Sequence, residues 1–390
     1  MKIGLIFTSF PSRSETFLLS KISGLKKSGY KVILFGSGKN SNYDGETILH
    51  PELDNNFLLR LIQVFSSLSK LLIKSPLKSL KYLKLEKKDG VGLIESFKSL
   101  YINSHLINTN LEWIHFCFCS TVIRRENVAK AIGAKMSISL RGFDISIYPL
   151  KNKDCYSGVW NKLDKVHSIS NDLLSTAVKL GLNPKIPTMI INPAIDVNYF
   201  SLEKNIDKKF KNTLKFLTVS RLHWKKGLEY TLEALSILKI NGYNFNYDII
   251  GDGPELERLK FARNQLKLNE NVNFIGYLEH KKIKDFYRKS DIYLQYSIQE
   301  GFCNSLLEAQ SMELICIGSN AEGLNENILN SKTGYIVEKR NPFKLYQQIK
   351  YVLNQKDGDL DKMRKNAKLH VLRNFDIKNQ SQYFVSFFQK

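Results

Sequence analysis

Residues 291–308 read DIYLQYSIQEGFCNSLLE, a run that predicts a β-strand, a tight turn and a helix beginning near Asn304 and Ser305. Both residues are favourable helix N-caps. Backbone N–H groups at the start of such a helix bind phosphate well. Glu300 then lies in the turn before the helix and Glu308 about one turn into it. We therefore expect the two carboxylates near the same strand end.

Outward from this stretch, short apolar runs alternate with helical segments along the chain. The runs are KIGLIFT, YKVILFG, LEWIHFC, MSISL, KVHSIS and PTMIINP in the first half, and LKFLTVS, FNYDIIG, NVNFIG, ELICIG and TGYIVE in the second. Parallel strands need crossover connections, so the alternation predicts βα units and parallel sheets. Ligands of open α/β sheets bind beyond the carboxyl ends of the strands, so functional residues are expected in the loops there.

A chain of 390 residues is too long for one core, because single cores stop growing at roughly 250–300 residues. The charged stretch SLEKNIDKKFKN, residues 201–212, interrupts the alternation. We place a domain boundary there. The sequence thus predicts an α/β protein with one Rossmann-like, doubly wound domain over residues 1–200 and a second over residues 201–374.

The formal charge of +21 and the pI near 9.5 favour an anionic partner, such as nucleic acid, an anionic membrane or a phosphorylated small molecule. The N-terminal MKIGLIFTSF predicts a first strand rather than a signal peptide, and no run reaches the ~18 apolar residues of a spanning helix. The cysteines lack metal-type spacing, so we expect free thiols in a reducing, cytoplasmic compartment. They are Cys117, Cys119, Cys155, Cys303 and Cys316.

Residues 57–88 mix large apolar side chains with many lysines and carry no acid before Glu86. The pattern predicts a basic amphipathic helix broken near Pro76. It allows two interpretations: helices that lie on an anionic bilayer at the inner face of a cytoplasmic membrane, or a helix pair with an apolar core face and a solvated lysine face. Under the first, charge reversal abolishes membrane binding; the relevant residues are Lys70, Lys74, Lys78 and Lys81.

Arg221, Lys225 and Lys226 follow the strand LKFLTVS, and two such cations can neutralise a diphosphate leaving group. A solvated basic loop is the alternative. Glu300 and Glu308 could accept hydrogen bonds from the hydroxyls of a sugar and of a ribose, which suits a nucleotide sugar. Their alternative is a pair of solvated glutamates.

The elements SRLHWKKG, GDGPELERL, FIGYL, DIYLQYSIQEGFCNSLLEAQSM and SKTGYIVE, in this order over about residues 214–354, resemble the C-terminal domain of retaining glycosyltransferase family 4, the group 1 glycosyl transferases. The resemblance implies the GT-B fold, in which two Rossmann-like domains face each other across a cleft. It also implies transfer of a sugar, with retention, from a nucleotide diphosphate to a hydroxyl, without cofactor or essential metal.

Residue roles follow from the same resemblance. Arg221 and Lys226 are expected to bind the diphosphate, Glu300 to face the donor sugar, and Glu308 to bind the ribose. The first three are the candidate catalytic residues. The full expected donor site is Arg221, Lys226, Tyr277, Glu300, Gly301, Phe302, Cys303, Asn304, Ser305 and Glu308.

The N-terminal half resembles a subgroup that works on exopolysaccharide, O-antigen and capsule, through TSFPSRSETFLL, EWIHFCFCS and SLRGFDIS. The implied acceptor is a glycan or a polyprenyl-diphosphate-linked oligosaccharide. The acceptor-side candidates are Glu15, Thr16, His115, Arg141 and Asp144. His115 is equally well interpreted as a core histidine. FDIKNQSQYFVSFFQ, within residues 375–390, resembles the terminal helix that crosses back to the first domain.

A D-x-D motif is typical of metal-dependent sugar transferases, but the D-x-D here, Asp357 to Asp359, lies between late helical segments and is interpreted as a helix N-cap. No metal is expected. With no second carboxylate placed on the acceptor side, a front-face reaction is the simplest mechanism. The alternatives are a nucleotide-sugar epimerase, a sugar phosphorylase and a non-catalytic nucleic-acid-binding protein. We expect no nucleic acid, because the lysines do not alternate with aromatic residues.

Overall fold

A computed structural model describes residues 1–11, 16–38, 43–52, 54–202 and 209–389. The chain forms two compact units. The first unit comprises Met1–Ile191 with Ser381–Lys390, and the second comprises Asn192–Gln380. Residues 203–208 of the charged stretch lie outside the described residues.

The division falls after Ile191, whereas the sequence analysis placed the boundary after residue 200. Two contacts tie the intervening residues to the second unit. Ile195 forms a β-bridge with Asp376. The ring of Phe200 lies 5.9 Å from that of Tyr287.

The first unit is built on a seven-stranded parallel sheet. Its strands are β1 (Lys2–Ser9), β2 (Lys31–Ser37), β3 (Thr47–Leu49), β4 (Trp113–Phe116), β5 (Lys135–Leu140), β6 (Lys165–Ser168) and β7 (Thr188–Ile190). They are ordered β3-β2-β1-β4-β5-β6-β7. The strand β3 was missed in the sequence because its residues TIL lie in no longer apolar run, whereas the equally short β7 and β13 lie within PTMIINP and TGYIVE.

The connections of the first unit are mostly helical. They are α1 (Thr16–Lys27), α2 (Phe57–Lys74), α3 (Pro76–Lys88), α4 (Leu93–Ile102), α5 (Ser104–Ile107), α6 (Val128–Ile132), α7 (Gly142–Ser146), α8 (Tyr148–Lys151), α9 (Ser157–Trp160) and α10 (Asn171–Lys179), with a 3-10 turn over Cys119–Val122. The predicted break at Pro76 is confirmed: this proline is the first residue of α3, where its missing N–H costs no helical bond.

The second unit has a six-stranded parallel sheet. Its strands are β8 (Leu214–Val219), β9 (Phe245–Ile250), β10 (Val272–Gly276), β11 (Ile292–Gln295), β12 (Ile315–Ser319) and β13 (Tyr335–Val337), ordered β10-β9-β8-β11-β12-β13. The helices are α11 (Leu228–Ile240), α12 (Leu256–Gln265), α13 (His280–Lys289), α14 (Asn304–Ser311), α15 (Leu324–Asn327), α16 (Pro342–Leu353), α17 (Asp357–Asn374) and α18 (Ile377–Phe388), with a 3-10 turn over Trp224–Lys226.

In both sheets the strand order reverses beside the first strand of the unit, β1 or β8, so both units are doubly wound as predicted. Helix α18 starts in the second unit and its last residues belong to the first. Phe387 and Phe388 on it are fully buried, and the ring of Phe388 lies 5.7 Å from that of Trp113 on β4. The terminal helix therefore contributes to the core of the first unit, as the sequence predicted.

The predicted helix start near Asn304 is confirmed, because α14 begins at this residue, but two predicted N-caps are wrong. Asn304 and Ser305 lie inside α14, and the N-cap is Cys303, whose side chain makes no capping hydrogen bond. Its backbone is held instead by the side chain of Asn327, which accepts from the Cys303 N–H and donates to the Cys303 carbonyl at 3.0 and 3.2 Å. Asp357 is likewise the first residue of α17 rather than its N-cap, which is Lys356.

All five cysteines are free thiols, as expected. Over the part of the chain that the structure describes, the helices include none with the length and apolar character needed to cross a bilayer.

Candidate functional site

The loop after β8 lies against the loops of two neighbouring strands. Gly251, after β9, has a φ of +136°, and a Cβ there would lie 1.9 Å from the Ser220 carbonyl oxygen. Gly227, after the basic loop, has a φ of +60°, and a Cβ there would lie 2.2 Å from the Tyr296 carbonyl oxygen. Only glycine permits these approaches without strain. The basic loop and the loop carrying Glu300 are thereby brought into backbone contact.

Lys226 and Glu300 form an ion pair at this point. Their side chains are only 15% and 14% exposed. Burial by itself lowers the pKa of Lys226, but the charge of Glu300 and the hydrogen bond to it prevail, so the pKa lies above its ordinary value. The Ser297 hydroxyl donates to the same oxygen of Glu300, Oε2, at 3.3 Å. Among the described residues, none donates a hydrogen bond to Glu300 Oε1.

Two further cations surround the pair. Arg221, directly beyond β8, is exposed. Lys225 is half-buried, and burial together with the charge of Arg221 lowers its pKa. Its carbonyl oxygen accepts the backbone N–H of Ile298 at 2.7 Å, which holds the basic loop to the loop after β11. The expected diphosphate cations and the expected sugar-facing glutamate thus lie in adjacent loops.

Glu308, the second expected carboxylate, is 7% exposed and has a partner on each oxygen. Tyr287 OH donates to its Oε2 at 2.9 Å, and His280 Nε2 lies 3.0 Å from its Oε1. The hydrogen bond to Glu308 raises the pKa of His280, against the opposing effect of burial. Burial, followed by the charge of Glu308, raises the pKa of Tyr287.

These two partners were missed in the sequence. His280 is the first residue of α13, directly beyond the FIGYL segment, and its ring stacks on Tyr199 with 6.0 Å between centroids. Tyr287 follows seven residues later on the same helix, and the spacing of two helical turns puts both on one face. This i, i+7 spacing was the available signal, but nothing local in the sequence connects it to Glu308.

The backbone between the two carboxylates is held from several sides. Asn327 fixes Cys303, as described above, and Phe302 packs on Phe375 with 5.4 Å between ring centroids. The Ser305 hydroxyl lies 2.8 Å from Tyr293 OH. Burial raises the pKa of the Cys303 thiol to about 11, so this thiol is protonated at neutral pH. The start of α14 is thus rigidly positioned beside Glu300, next to the buried Gly301.

Tyr277 lies directly beyond β10, on the far side of β9 from β8, and is 69% exposed. Its side chain is free to contact a planar ligand. With this residue, all the expected donor-side residues lie in the loops or helices that follow strands β8, β10 and β11 of one sheet.

The acceptor-side candidates belong to the first unit. Glu15 lies outside the described residues, and of Thr16 the structure describes only the backbone, as the first residue of α1. Arg141 follows β5; its Nε donates to the Cys117 carbonyl at 2.9 Å and its guanidinium lies 4.3 Å from the Phe17 ring centroid. These contacts position the guanidinium at the carboxyl end of the sheet.

Asp144, in α7, is 1% exposed. Its Oδ1 accepts from the Ser120 backbone N–H at 3.2 Å and from the Ser120 hydroxyl at 2.5 Å. Burial raises its pKa despite these bonds. Asp144 thus fastens the turn after β4 to α7.

His115 lies within β4 and is fully buried. Its Nδ1 is 2.9 Å from the Ser137 hydroxyl, and its Nε2 is 2.7 Å from Nζ of Lys21. Burial, followed by the charge of Lys21, moves the pKa of His115 well below its usual value. These surroundings match the core-histidine interpretation of His115 rather than direct contact with an acceptor.

No cluster of three or more His, Cys, Asp or Glu side chains placed to hold a metal ion occurs in the described ranges.

Residues 201–370 match the family model described as glycosyl transferases group 1. Over nearly the whole chain the sequence is similar to two bacterial proteins. One is the amylovoran biosynthesis glycosyltransferase AmsK of Erwinia amylovora, 24% identical over 86% of each chain. The other is the putative colanic acid biosynthesis glycosyltransferase WcaL of Escherichia coli K12, 23% identical over 96% of each chain.

Among solved structures, Anabaena Alr3699/HepE in complex with UDP and glucose matches with a TM-score of 0.74 at 14% identity, covering 99% of this chain and 98% of its own. At that identity the likeness concerns the fold alone, and it identifies the fold as GT-B. Together the matches support a glycosyltransferase of group 1.

Proposed function

We propose that this chain, whose residues 201–370 match the group 1 glycosyl transferases, is a retaining glycosyltransferase that uses a nucleotide diphosphate sugar. The observation that carries the proposal is the buried Lys226–Glu300 ion pair beside the start of α14. A cation, a carboxylate with one oxygen open and a helix N-terminus together are what a sugar attached to a diphosphate requires.

In this proposal Lys226 and Arg221 bind the diphosphate. An ammonium has three N–H donors, so Lys226 can hold Glu300 with one and phosphate oxygens with the others. Glu300 accepts a donor-sugar hydroxyl at Oε1, while Oε2 keeps Lys226. The N–H groups at the start of α14 face the phosphate, with the backbone of Cys303 held in place by Asn327.

Glu308 binds the nucleotide ribose. Each of its oxygens accepts one hydrogen bond and the residue is only 7% exposed, so in this proposal one partner moves aside to give the ribose hydroxyls access. His280 is the exchangeable partner, because its side chain is half exposed, whereas Tyr287 is fully buried. Tyr287 therefore positions the carboxylate and His280 occupies the place of a ribose hydroxyl. Tyr277 is available to contact the base.

The proposed reaction is a front-face transfer. The acceptor hydroxyl oxygen forms a bond to the anomeric carbon on the side from which the diphosphate departs, and the bond from that carbon to the phosphate oxygen breaks. The departing phosphate oxygen takes the proton of the acceptor hydroxyl. Arg221 and Lys226 stabilise the negative charge that develops on the phosphate. No step of this scheme requires a metal.

We further propose a glycan or a lipid-linked oligosaccharide as the acceptor, in bacterial surface polysaccharide synthesis. The support is the similarity to glycosyltransferases named for amylovoran and colanic acid biosynthesis. The neighbour solved with UDP and glucose supports a nucleotide sugar as the donor. Arg141, at the carboxyl end of the first sheet, is the acceptor-side cation in this proposal.

The test is thermal stabilisation by a panel of UDP- and GDP-sugars, because a ligand that binds the native state raises its stability by mass action. One nucleotide class should stabilise the wild type and stabilise Glu308→Ala much less. Glu257→Ala is the matched control, since Glu257 is an exposed glutamate on α12 paired only with Lys260.

If a nucleotide sugar stabilises Glu308→Ala as much as the wild type, Glu308 does not bind the ribose. Mass spectrometry and sugar analysis of the incubated donor then separate the enzyme classes. Conversion of the sugar on its nucleotide without any acceptor would indicate an epimerase. Salt-dependent binding of nucleic acid with no nucleotide-sugar binding would indicate the non-catalytic alternative.

A further inference from the structure

Helix α2 exposes an apolar face that packs against nothing in the described residues. Leu71 is its only buried residue, and Val64 and Leu68 beside it are half-buried. The remaining large apolar side chains of α2 are between 39% and 75% exposed, and Ile73 is 81% exposed. They are Phe57, Leu58, Leu59, Leu61, Ile62, Phe65, Leu72 and Ile73.

Helices α3 and α4, which pack against α2, extend this face. Their exposed apolar side chains are Leu77, Leu80, Leu93, Ile94 and Phe97. Together with the exposed apolar side chains of α2 they are called here the α2–α4 apolar surface. Many exposed apolar side chains on helices that pack together are typical of a site that another phase or molecule covers.

The charges on helices α2, α3 and α4 and their connections are mostly positive. Residues 57–102 contain nine cations and three carboxylates: Glu86 is buried, Asp89 is paired with Lys162, and Glu95 is paired with Lys98. Lys78 is engaged locally, because its Nζ donates to the Thr109 carbonyl and to Asn110 Oδ1, both at 2.6 Å. The exposed lysines, none of which is in an ion pair with a described residue, are Lys70, Lys74, Lys81, Lys84, Lys87 and Lys88.

We propose that the α2–α4 apolar surface binds an anionic lipid bilayer, with its apolar side chains in the interfacial region and its lysines at the lipid headgroups. Apolar burial and attraction to anionic headgroups then act together. A second copy of this chain fits the surface poorly, because it would bring the same lysines into apposition. The sequence alone left open whether the lysine-rich helices face a bilayer or form a solvated pair; the exposure of the apolar side chains favours the bilayer.

The proposed membrane binding goes beyond the proposed transferase function. It is measured as vesicle binding, without any assay of sugar transfer, so either proposal can fail without the other. The full-length protein is floated with vesicles of equal parts phosphatidylglycerol and phosphatidylcholine, and with vesicles of phosphatidylcholine alone. The wild type should float with the anionic vesicles, and high salt should weaken the binding because it screens the lysines.

The apolar contribution is tested with Ile62→Gln, Phe65→Gln and Ile73→Gln combined. All three residues are more than 60% exposed, so the fold should not depend on them. Partition into anionic vesicles should fall by at least about tenfold. The matched control replaces equally exposed apolar residues elsewhere: Leu150→Gln, Ile240→Gln and Phe261→Gln.

The charge contribution is tested with Lys70→Glu, Lys74→Glu, Lys81→Glu and Lys84→Glu, which leave the engaged Lys78 intact. Binding to anionic vesicles should again fall at least about tenfold, since each lysine near the surface contributes. A control with the same net charge carries exposed replacements in the second unit: Lys332→Glu, Lys350→Glu, Lys362→Glu and Lys365→Glu.

The proposal is supported if both variants lose vesicle binding while both controls and all thermal transitions stay at the wild-type value. It is overturned if the wild type fails to float with anionic vesicles, or if the apolar variant binds as the wild type does. It is also overturned if the wild type is a dimer by light scattering that the apolar variant converts to a monomer, because the surface is then an interface between copies.

Discussion

In both units the strand order reverses beside the first strand, but the surroundings of a buried lysine shift its pKa in opposite directions. In the second unit Lys226 is paired with Glu300, and its pKa is raised. In the first unit Lys21 is 1% exposed, contacts His115, and touches no carboxylate among the described residues. Burial lowers the pKa of Lys21 to about 8.

The surroundings of Lys21 are neutral or positive. Burial moves the pKa values of His115 and His167 well below their usual range, so both rings are uncharged at neutral pH. The charge of Arg141 lowers the pKa of Lys21 further, and the Cys117 thiol acts in the opposite direction. The face of the Phe384 ring, 4.5 Å from Nζ, gives the ammonium a weak partner.

The comparison shows that topology does not determine electrostatics. In the second unit Glu300 balances Lys226, while Arg221 and Lys225 beside the pair are in no ion pair with a described residue and leave the site net positive for an anion. In the first unit, the unfavourable burial of the charged Lys21 is offset by its contacts with the His115 ring and the Phe384 ring.

The largest effect is expected for Lys226→Ala. The variant removes a cation from the proposed diphosphate site and leaves Glu300 buried without its partner. kcat/KM for sugar transfer should fall by about a hundredfold or more. Lys225→Ala is the control, since Lys225 lies in the same loop but makes no contact with Glu300 at ion-pair distance. Equal losses in both variants would show that only the net charge of the loop matters.

The second prediction concerns Lys21. Its pKa is about 8 in the folded protein and 10.5 in the reference state, so between these values the unfolded chain binds more protons. The contribution of Lys21 to the free energy of unfolding should therefore be most favourable above pH ~10.5 and should fall by about 3 kcal/mol between pH ~10.5 and pH ~8. Urea unfolding of Lys21→Met should lack this dependence.

Lys226 supplies the opposite sign. Because its folded pKa is raised, its stabilising contribution is complete below pH ~10.5 and is lost only above that value. Exposed Lys27 is a control residue, and Lys27→Met should leave the pH profile unchanged. If Lys21→Met retains the pH profile of the wild type, the lowered pKa of Lys21 does not determine how the free energy of unfolding depends on pH.

A smaller effect is expected for Tyr287→Phe. The change removes the donor to Glu308 Oε2 and leaves that buried oxygen without its partner, so the carboxylate is held less firmly. Nucleotide-sugar affinity should fall about tenfold by calorimetry. Tyr247→Phe also loses a buried tyrosine hydroxyl, but one that contacts Thr218, and should retain affinity. Unchanged binding in Tyr287→Phe would remove its positioning role.

The smallest effect concerns His280. Its pKa is raised by Glu308, so a falling pH strengthens the pair that a ribose must displace. Affinity for an intact nucleotide sugar should decline as the pH falls through the histidine range, by less than about tenfold. His280→Ala should flatten this decline. His370→Ala, a histidine on α17 with no contact to Glu308, should not, and a decline that persists in His280→Ala would assign the titration elsewhere.

Features that depend on residues close together in the chain were predictable from the sequence, and features that depend on residues far apart in the chain were not. The alternation of apolar runs predicted every strand except the short β3, and the residues after β8 and β11 were recognised because their types and spacing are local. The N-cap at Cys303 was missed, since it depends on Asn327, 24 residues away. His280 and Tyr287 were missed for the same reason.

The N-terminal domain shows the limit most clearly. The sequence identified residues 57–88 as basic and amphipathic, yet the apolar arc of α2 is wide, and its composition does not say which part of that arc the core covers. Only packing against α3 and α4 decided that the arc with Phe65 stays exposed. Likewise, His115 could be assigned to the core only once Ser137 and Lys21 were seen beside it.

By itself, then, the sequence determined two doubly wound units, the loops that follow their strands and the charged residues in those loops, because periodicity and turn chemistry act over a few residues. The tertiary structure decided which charges are paired, which oxygen of Glu308 can be vacated and which apolar face lacks a partner. Pairing and burial depend on residues distant in the chain, and their energies follow from distance and exposure, which residue order does not encode locally.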